Sequence, residues 1–186
     1  MSLTVAPLTR QSWPALENLF GRAGASNGCW CMYWRIGPRY RDRPRAENQQ
    51  DLQRLAGSGQ SPGLLAFDGD LAVGWCELAP RADLAWLGHS RYLGPVDDLP
   101  VWSLPCFYVR PTHRGQGVTD ALIEAAVSVS AAAGAPALEA YPVDVAVAAH
   151  TTNLFPGVAS AFARHGFAVV ARRKPDRPVM RRYRLA

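Results

Sequence analysis

The sequence predicts an α/β fold in which helices flank a mixed β-sheet, built as a single domain over residues 1–186. Helical spacing of apolar residues alternates along the chain with short segments rich in β-branched and aromatic residues, which favours a sheet with helices packed on it. The composition, 48% hydrophobic and 19% charged, suits one folded domain with a substantial core. No internal repeat or linker divides the sequence.

The first part of the chain is predicted to form two helices followed by a β-hairpin. Apolar spacing places the helices over 13–23 and 46–56, and a glycine follows the second helix. Residues 63–79 carry the clearest β pattern. Asp68 and Gly69 lie between its two apolar runs and form a favoured two-residue turn pair, which predicts a hairpin.

The second part of the chain is predicted to add a strand, a helix, a strand, a helix and a final antiparallel hairpin. Pro105 lies inside the first of these strands and indicates a β-bulge or a sheet edge, because proline cannot donate a hydrogen bond to a neighbouring strand. The predicted ranges are 101–109, 118 to near 134, 137–141, 158–165, and 167–172 paired with 179–185.

The segment Ser103–Thr119, SLPCFYVRPTHRGQGVT, is the most informative part of the sequence. It predicts a strand, a turn containing Gly115 and Gly117, and the start of a helix. Unpaired backbone N–H groups and the positive end of the helix dipole make such a turn a phosphate-binding site. Nucleotide-binding motifs do not fit, because the single lysine, Lys174, lies far from the turn and the two glycines lack dinucleotide spacing.

The six residues from Arg114 to Thr119 resemble the coenzyme A loop of the GNAT N-acetyltransferases, which reads Arg/Gln-x-x-Gly-x-Gly/Ala. Arg114 and Gly117 match this pattern, and Thr119 departs from its small final residue. The order of predicted elements is also that of the family over most of the chain. The resemblance implies a GNAT-like, mostly antiparallel sheet in which the parallel strands 101–109 and 137–141 splay apart to hold pantetheine.

The resemblance also implies which residues bind acetyl-coenzyme A, the co-substrate of the family. Backbone groups near Phe107 and Val109 are expected to pair with pantetheine. The expected pyrophosphate contacts are the loop residues Arg114, Gly115, Gln116, Gly117, Val118 and Thr119.

Two functional positions of the family hold other residues in this chain. The family has Asn-Pro, then Tyr six residues later, whereas this chain has Phe155-Pro156 and Phe162. The asparagine that often contacts the cofactor is therefore missing, and Asn153 is the candidate replacement. The tyrosine that often protonates the leaving thiolate is also missing. This keeps a second interpretation open, a catalytically inactive coenzyme A-binding sensor or interaction module.

Acetyl transfer to an amine needs a group that accepts a proton. Glu139 and Tyr141 share one face of a strand, so Glu139 is expected as the base through water and Tyr141 as the acid or positioning group. The alternative is that Glu139 pairs with an arginine and Tyr141 only packs. Glu77 is the second candidate base, and Cys106 is better explained as a small buried thiol than as a nucleophile.

The segment 28–35, GCWCMYWR, has the most unusual local composition. In the family, the region between the first two helices lines the acceptor side, so Trp30, Tyr33 and Trp34 are predicted to stack on a flat or cationic acceptor. The alternative is that these rings fill the core. The two cysteines of this segment have no second Cys or His pair at metal-binding spacing, so no metal is expected.

The net charge of +5 is concentrated in two arginine-rich regions, 35–45 and 172–186. Such regions suit nucleic acid, the phosphates of the cofactor, or a solvated surface. Because Lys174 is the single lysine among 20 basic residues, a general arginine bias favours the solvated surface. No motif for nucleic-acid recognition supports the first alternative, so no nucleic-acid partner is expected.

The sequence therefore predicts a cytoplasmic enzyme that transfers an acetyl group from acetyl-coenzyme A to a primary amine by direct attack. The acceptor is expected to be a small molecule or a peptide, and a homodimer stays open. The sequence has no run of about 18 apolar residues and no apolar N-terminal leader, so no membrane attachment is expected. The four cysteines are expected to be reduced thiols.

Overall fold

The computed structural model describes residues 2–147 and 153–183. The helices of these residues are α1 (Trp13–Phe20), α2 (Tyr33–Ile36), α3 (Arg45–Ala56), α4 (Val118–Ala132) and α5 (Ala159–Arg164). The strands are β1 (Leu3–Pro7), β2 (Gly63–Asp68), β3 (Leu71–Pro80), β4 (Trp102–Val109), β5 (Ala137–Ala140), β6 (Ala168–Ala171) and β7 (Val179–Tyr183).

The strands of the described residues form one sheet in the order β1-β2-β3-β4-β5-β7-β6. Every neighbouring pair is antiparallel except β4 and β5, which run parallel. A parallel pair needs a crossover connection, and α4 lies in the connection from β4 to β5. The predicted mixed, mostly antiparallel sheet with one parallel pair is therefore confirmed.

The proline in β4 marks the place where the two parallel strands separate. Ser103 and Cys106 of β4 pair with Ala79 and Glu77 of β3. The first two are three residues apart and the last two are two residues apart, so β4 carries one extra residue beside Pro105. The predicted bulge is confirmed. The ladder with β5 ends at Leu104, whereas β4 continues to Val109. The last residues of β4 therefore have no β5 partner and border an open cleft.

Two local details differ from the sequence-based expectations. The pattern does not reveal β1, Leu3–Pro7, because this short edge strand is partly exposed and lacks a regular alternation of burial. In the hairpin, Asp68 pairs with Leu71, so the central turn residues are Gly69 and Asp70 and not Asp68 and Gly69. Gly69 then takes the first central position with a φ of 58°, a conformation that favours glycine.

The predicted ends of the elements need small corrections. The first helix ends at Phe20 and is followed by a 3₁₀ turn, Gly21–Ala23, so the predicted range 13–23 contains both. The last strand is observed over Val179–Tyr183, and residues 184–185 of its predicted range lie outside the described residues. Across 2–147 and 153–183, no helix combines the length and apolarity that crossing a bilayer requires.

Each face of the sheet is covered by its own hydrophobic cluster. Helix α4 packs on one face, with Leu122 and Ile123 completely buried. Gly74 in β3 allows this close packing, since a Cβ there would lie 2.4 Å from Cγ1 of Val118. The other face is covered by α1 and the aromatic segment that follows it, where Trp75 of β3 is completely buried.

Candidate functional site

The glycine-rich loop lies between the end of β4 and the start of α4. Gly115 and Gly117 have φ angles of 71° and 81°, which residues with a side chain rarely adopt. Gly117 is the residue directly before the 15-residue helix α4, so the first amides of that helix are free of intrahelical partners at this loop. These N–H groups and the helix dipole give the loop the polarity that a phosphate group needs.

Two connected cavities run along the loop and the unpaired part of β4, and together they are called the cofactor cleft. The first cavity, about 340 Å³, lies over the glycine-rich loop. The second, about 420 Å³, continues beside the end of β4. Both cavities are lined by Val109, Arg114 and Thr119, which makes the cleft continuous.

The structure brings nearly all the predicted cofactor residues together in this cleft. Those that line it are Phe107, Val109, Arg114, Gly115, Gly117, Val118, Thr119 and Asn153. Gln116 does not line the cleft, because its side chain turns back and Nε2 donates to the carbonyl oxygen of Thr112 at 2.9 Å. Asn153 has a left-handed φ of 60°, which asparagine tolerates better than most residues. Cofactor binding by these residues stays a prediction.

Phe155 and Phe162 both make contacts with Phe107 at this cleft. The backbone N–H of Phe107 donates to the carbonyl oxygen of Phe155 at 2.6 Å. The ring of Phe162 is completely buried and packs on the rings of Phe107 and Phe167, with centroids 5.9 and 5.2 Å apart. Neither Phe155 nor Phe162 supplies the amide or hydroxyl that the GNAT resemblance places at these positions.

Glu139 and Tyr141 belong to a buried polar network. Glu139 accepts hydrogen bonds from Arg181 Nη2 at 2.7 Å and from Arg81 Nη1 at 2.9 Å. The Tyr141 hydroxyl donates to Oε1 of Glu139 at 2.7 Å and lies 2.8 Å from Oγ of Ser103. Burial raises the pKa of Tyr141, and the charge of Glu139 raises it further.

None of these network residues lines the cofactor cleft. The arginine pairing that was the alternative interpretation of Glu139 is therefore observed, and a role of Glu139 as base stays a prediction.

Glu77 occupies a different environment, on β3 opposite Cys106. Its carboxylate is buried, and Oε1 lies 3.3 Å from Nε of Arg35. This is an ion pair without an aligned hydrogen bond, since no donor within 2–147 and 153–183 meets either oxygen in hydrogen-bond geometry. Burial raises the pKa of Glu77 to about 7, and the Arg35 charge opposes that rise. Such a group can accept and release a proton near neutral pH.

A further cavity of about 380 Å³ adjoins the cofactor cleft and is called the acceptor pocket. Residues of the aromatic segment, of β4 and of the β6–β7 turn line it. They include Cys29, Cys31, Tyr33, Trp34, Tyr40, Arg41, Cys106, Phe107, Tyr108, Asn153, Phe155 and Arg177. Because Phe107, Tyr108, Asn153 and Phe155 also line the cleft, the pocket opens onto the cleft beside the bulge of β4.

The three predicted acceptor-side aromatic residues have two different placements. Tyr33 and Trp34 line the acceptor pocket, and their rings pack edge to face with centroids 4.8 Å apart. Trp30 does not line it. Its buried ring lies 5.8 Å from that of Trp13 and 5.4 Å from that of Phe20, between centroids. Trp30 therefore takes the core position of the alternative interpretation, while Tyr33 and Trp34 line the pocket, and their contact with an acceptor stays a prediction.

Cys29, Cys31 and Cys106 meet in the acceptor pocket as free thiols. Nε1 of Trp75 donates to Sγ of Cys31 at 3.1 Å. A hydrogen bond with Cys106, together with burial, raises the pKa of Cys31, and burial raises the pKa of Cys29 to about 12. These two thiols are therefore protonated at neutral pH and are weak nucleophiles. In the part of the chain that the structure describes, no group of three or more His, Cys, Asp or Glu side chains is arranged to hold a metal ion.

Sequence reasoning missed several arginines of the site, among them Arg177 and Arg35. Arg177, in the turn between β6 and β7, lines the acceptor pocket, and Arg35 pairs with Glu77. Both belong to the arginine-rich regions that the composition favours as solvated surface. Only the fold brings residue 177 beside residues 33–41, so no local pattern in the sequence identifies it.

The chain is also similar in sequence to a known protein family. Residues 26–154 match the sequence model described as the Acetyltransferase (GNAT) family. The chain belongs to the GNAT acetyltransferase family. The matched range contains the aromatic segment, Glu77, the bulge of β4 and the glycine-rich loop. The predicted resemblance to the GNAT proteins is confirmed. No curated protein sequence matches the chain.

Solved GNAT structures share this fold at low sequence identity. PaiA N-acetyltransferase from Thermoplasma acidophilum, in complex with coenzyme A, has 15% identity and a TM-score of 0.58, over 98% of this chain and 99% of its own. YncA from Salmonella typhimurium, solved with acetyl-CoA, has 14% identity and a TM-score of 0.54, over 98% and 94%. The polyamine N-acetyltransferase of Drosophila melanogaster has 12% identity and a TM-score of 0.55, over 97% of each chain. These likenesses establish the GNAT fold.

Proposed function

We propose that this GNAT protein transfers an acetyl group from acetyl-coenzyme A to a primary amine bound in the acceptor pocket, with Glu77 as the general base. The observation that carries the proposal is the position of Glu77. Its buried carboxyl group, with a pKa of about 7, lies across the ladder from Cys106, which lines the acceptor pocket. Membership of the GNAT family supports acetyl transfer, and the structures of PaiA and YncA contain coenzyme A and acetyl-CoA.

The cofactor cleft fits acetyl-coenzyme A in both charge and backbone geometry. The first amides of α4 and the guanidinium group of Arg114 supply positive charge for a pyrophosphate, whereas Arg164 is already paired with Asp120 at 2.8 Å. The end of β4 has no β5 partner, so its backbone can pair with the amides of pantetheine. The N–H of Phe107 on this edge donates to Phe155, so pairing at that position requires this bond to exchange. The bound co-substrate supplies the acetyl group as an activated thioester.

The proton balance gives Glu77 its role. A primary amine with an ordinary pKa of about 10 enters mostly protonated at neutral pH, and only the neutral nitrogen can attack the carbonyl carbon. The Glu77 carboxylate accepts the first proton, directly or through a water molecule. The N–C bond then forms as the C–S bond breaks. Of the two protons that leave the nitrogen, one ends on the departing sulfur and the other passes to solvent.

Tyr108 is the residue best placed to protonate the departing sulfur. Among the described residues with a hydroxyl group, it is the one that lines both the cofactor cleft and the acceptor pocket. Phe162, where the family often has a tyrosine, is buried and has no hydroxyl. The side chain of Tyr108 lies on the opposite face of β4 from that of Phe107, and its ring centroid is 5.5 Å from that of Phe20. We therefore assign it the role of general acid.

The second candidate function is a coenzyme A-binding module without catalysis. Phe155 and Phe162 favour it, because the family often uses a polar residue at each of these positions. The bond between Phe107 and Phe155 also favours it, because a carbonyl of the chain itself accepts from the cleft-facing N–H. Both functions include coenzyme A binding, and only acetyl transfer includes thiol release that depends on an amine.

Release of free thiol from acetyl-coenzyme A, measured against a panel of primary amines, tests the proposal. We expect release that depends on the amine, falls in the Glu77→Gln variant and persists in Glu124→Gln, a control on an exposed position of α4. Without acceptor, intact-mass analysis should show no acetylated protein, because the attack is direct and does not use Cys106. Coenzyme A binding without release for any amine would instead support the inactive module.

A further inference from the structure

The acceptor pocket has positively charged walls without an acidic partner. Arg41 and Arg177 line it, and no aspartate or glutamate of the described residues does. Nε of Arg41 donates to the hydroxyl of Tyr40 at 2.9 Å, which holds that guanidinium beside the pocket. Glu77 does not line the pocket either, and its buried carboxylate belongs to the residue that pairs with Cys106 across the ladder.

Arg177 is the more informative of the two arginines, because it is half-buried. Burial lowers the pKa of Arg177, while the charge of Asp176 opposes that change. The carboxylate of Asp176 is bound elsewhere, with Oδ1 3.1 Å from Nζ of Lys174. Within 2–147 and 153–183, the guanidinium of Arg177 has no hydrogen bond or ion pair, while other arginines of the same region do have them. A ligand anion would therefore supply what the protein does not.

The geometry of a guanidinium group indicates which anions Arg177 would bind. Its five N–H donors lie in a planar fork that matches the oxygens of a carboxylate or a phosphate, usually through two parallel hydrogen bonds. Such bonds are strongest where water is partly excluded. A ligand with several positive charges would instead be repelled by Arg41 and Arg177, which argues against polyamines as acceptors.

The other residues that line the pocket indicate which non-ionic part a ligand would need. The aromatic residues Tyr33, Trp34, Tyr108 and Phe155 line the pocket. Rings of this kind pack well on a flat or apolar group. The pocket thus offers an anion site at Arg177, an aromatic wall, and the thiol of Cys106, whose ladder partner is the proposed base Glu77.

We propose that the acceptor is a primary amine with an anionic group, carboxylate or phosphate, on a flat apolar body, and that Arg177 binds that anion. This inference rests on the proposed function of the same pocket. It assigns Arg177 the role of a specificity-determining residue. It also separates this chain from acceptors whose only charged groups are amines.

Binding of product-like compounds tests the proposal without requiring turnover. Calorimetric titrations, with coenzyme A present, compare N-acetyltryptophan with neutral N-acetyltryptamine, and O-phospho-N-acetyltyramine with neutral N-acetyltyramine. We expect at least one anionic compound to bind about 10-fold or more tightly than its neutral partner, as charge-assisted hydrogen bonds provide. The first pair reports on a carboxylate and the second on a phosphate.

The variant Arg177→Gln should remove this preference, and Arg177→Lys should restore part of it. Arg39→Gln is the matched control, because it removes a positive charge from an exposed neighbouring position that does not line the pocket. An unchanged rise in melting temperature with coenzyme A shows that each variant is folded. With active protein, Arg177→Gln should raise KM for the anionic amine and leave kcat nearly unchanged.

Equal binding of the charged and neutral compounds by the unmodified protein would overturn the proposal. Equal loss of preference in Arg177→Gln and Arg39→Gln would also overturn it, because a general surface charge would then explain the effect. A preference that depends on Arg177, without acetyl transfer to any amine, would retain the anion site and reject the proposed function. The two failures are therefore distinguishable.

Discussion

Oε1 of Glu77 lies 3.3 Å from Nε of Arg35, and both side chains are largely shielded from water. This ion pair joins β3 to α2, the short helix that also contains Tyr33 and Trp34 of the acceptor pocket. Burial raises the pKa of Glu77 to about 7, and Arg35 limits that rise. The proposed base and the pocket that receives the amine are therefore coupled through one pair of charges.

Replacing Glu77 with glutamine should lower kcat by roughly 100-fold or more, because the amide cannot accept the proton of the amine. Glu77 accepts a proton only when it is ionised. The kcat/KM of the unmodified protein should therefore rise as the pH passes about 7, and the variant should lack this rise. Steady-state kinetics over a pH series measures both effects. The control Glu124→Gln should keep the rise of kcat/KM with pH. If Glu77→Gln also kept this rise, Glu77 would not be the base.

The same group should make stability depend on pH. The pKa of Glu77 rises from an ordinary value of 4.5 to about 7 on folding. Its contribution to the free energy of unfolding is therefore fully present below pH 4.5 and is lost as the pH rises through about 7. By linkage, this loss is at most on the order of 3 kcal/mol. Denaturant titrations from pH 4.5 upward should show a smaller decline for Glu77→Gln than for the unmodified protein. Parallel pH dependences of the two proteins would contradict the raised pKa.

Replacing Arg35 with glutamine should raise the pKa of Glu77 further, because it removes the charge that opposes the effect of burial. The rising limb of the pH–rate profile should then move to higher pH, and activity at pH 7 should fall more than activity at pH 9. Arg39→Gln removes a charge from an exposed position four residues along the chain and should leave the profile in place. A uniform loss of rate at every pH in Arg35→Gln would mean that Arg35 acts on something other than Glu77.

The glycine before α4 allows a paired experiment. Gly117 and Gly134 both have left-handed φ angles, 81° and 73°, and a Cβ at either position would meet no atom within 4 Å. Alanine at either position should therefore cost a similar free energy of unfolding, about 1–2 kcal/mol. Only Gly117→Ala should also weaken coenzyme A binding, because Gly117 lines the cofactor cleft. In the unmodified protein, ligand at 100 times Kd should stabilise the fold by about 2.7 kcal/mol. Equal ligand-induced stabilisation of both variants would show that the loop is only a turn.

The loop and the bulge could be predicted from the sequence because their causes are local. Pro105 lacks an N–H donor whatever surrounds it, and Gly115 and Gly117 permit positive φ in any context. Strand β1 could not be predicted in this way, because pairing with β2 stabilises it and its own pattern is weak. The helix and strand order followed from periodicity, and periodicity is also a local property.

The roles of individual side chains could not be predicted, because distant residues decide them. Glu77 and Glu139 both lie among apolar residues of strands. Glu139 meets Arg81 and Arg181, which are 58 and 42 residues away in the chain. Trp30 has a left-handed φ of 45°, an uncommon conformation for a large residue that the composition of the segment does not reveal. Its ring is directed into the core, while neighbouring rings reach the pocket.

Replacing Glu139 with glutamine should lower stability rather than the rate of acetyl transfer. The change removes the carboxylate that the partly buried Arg81 and the buried Arg181 both contact, although Arg181 keeps its ion pair with Asp97. Breaking a buried pair costs about 3–5 kcal/mol. Tyr141→Phe removes one hydroxyl from the same network and should cost about 1–3 kcal/mol. Denaturant titration measures both losses, and the kcat of the folded fraction should stay close to that of the unmodified protein. If folded Glu139→Gln instead lost kcat by about 100-fold, Glu139 would be the base and the assignment to Glu77 would be wrong.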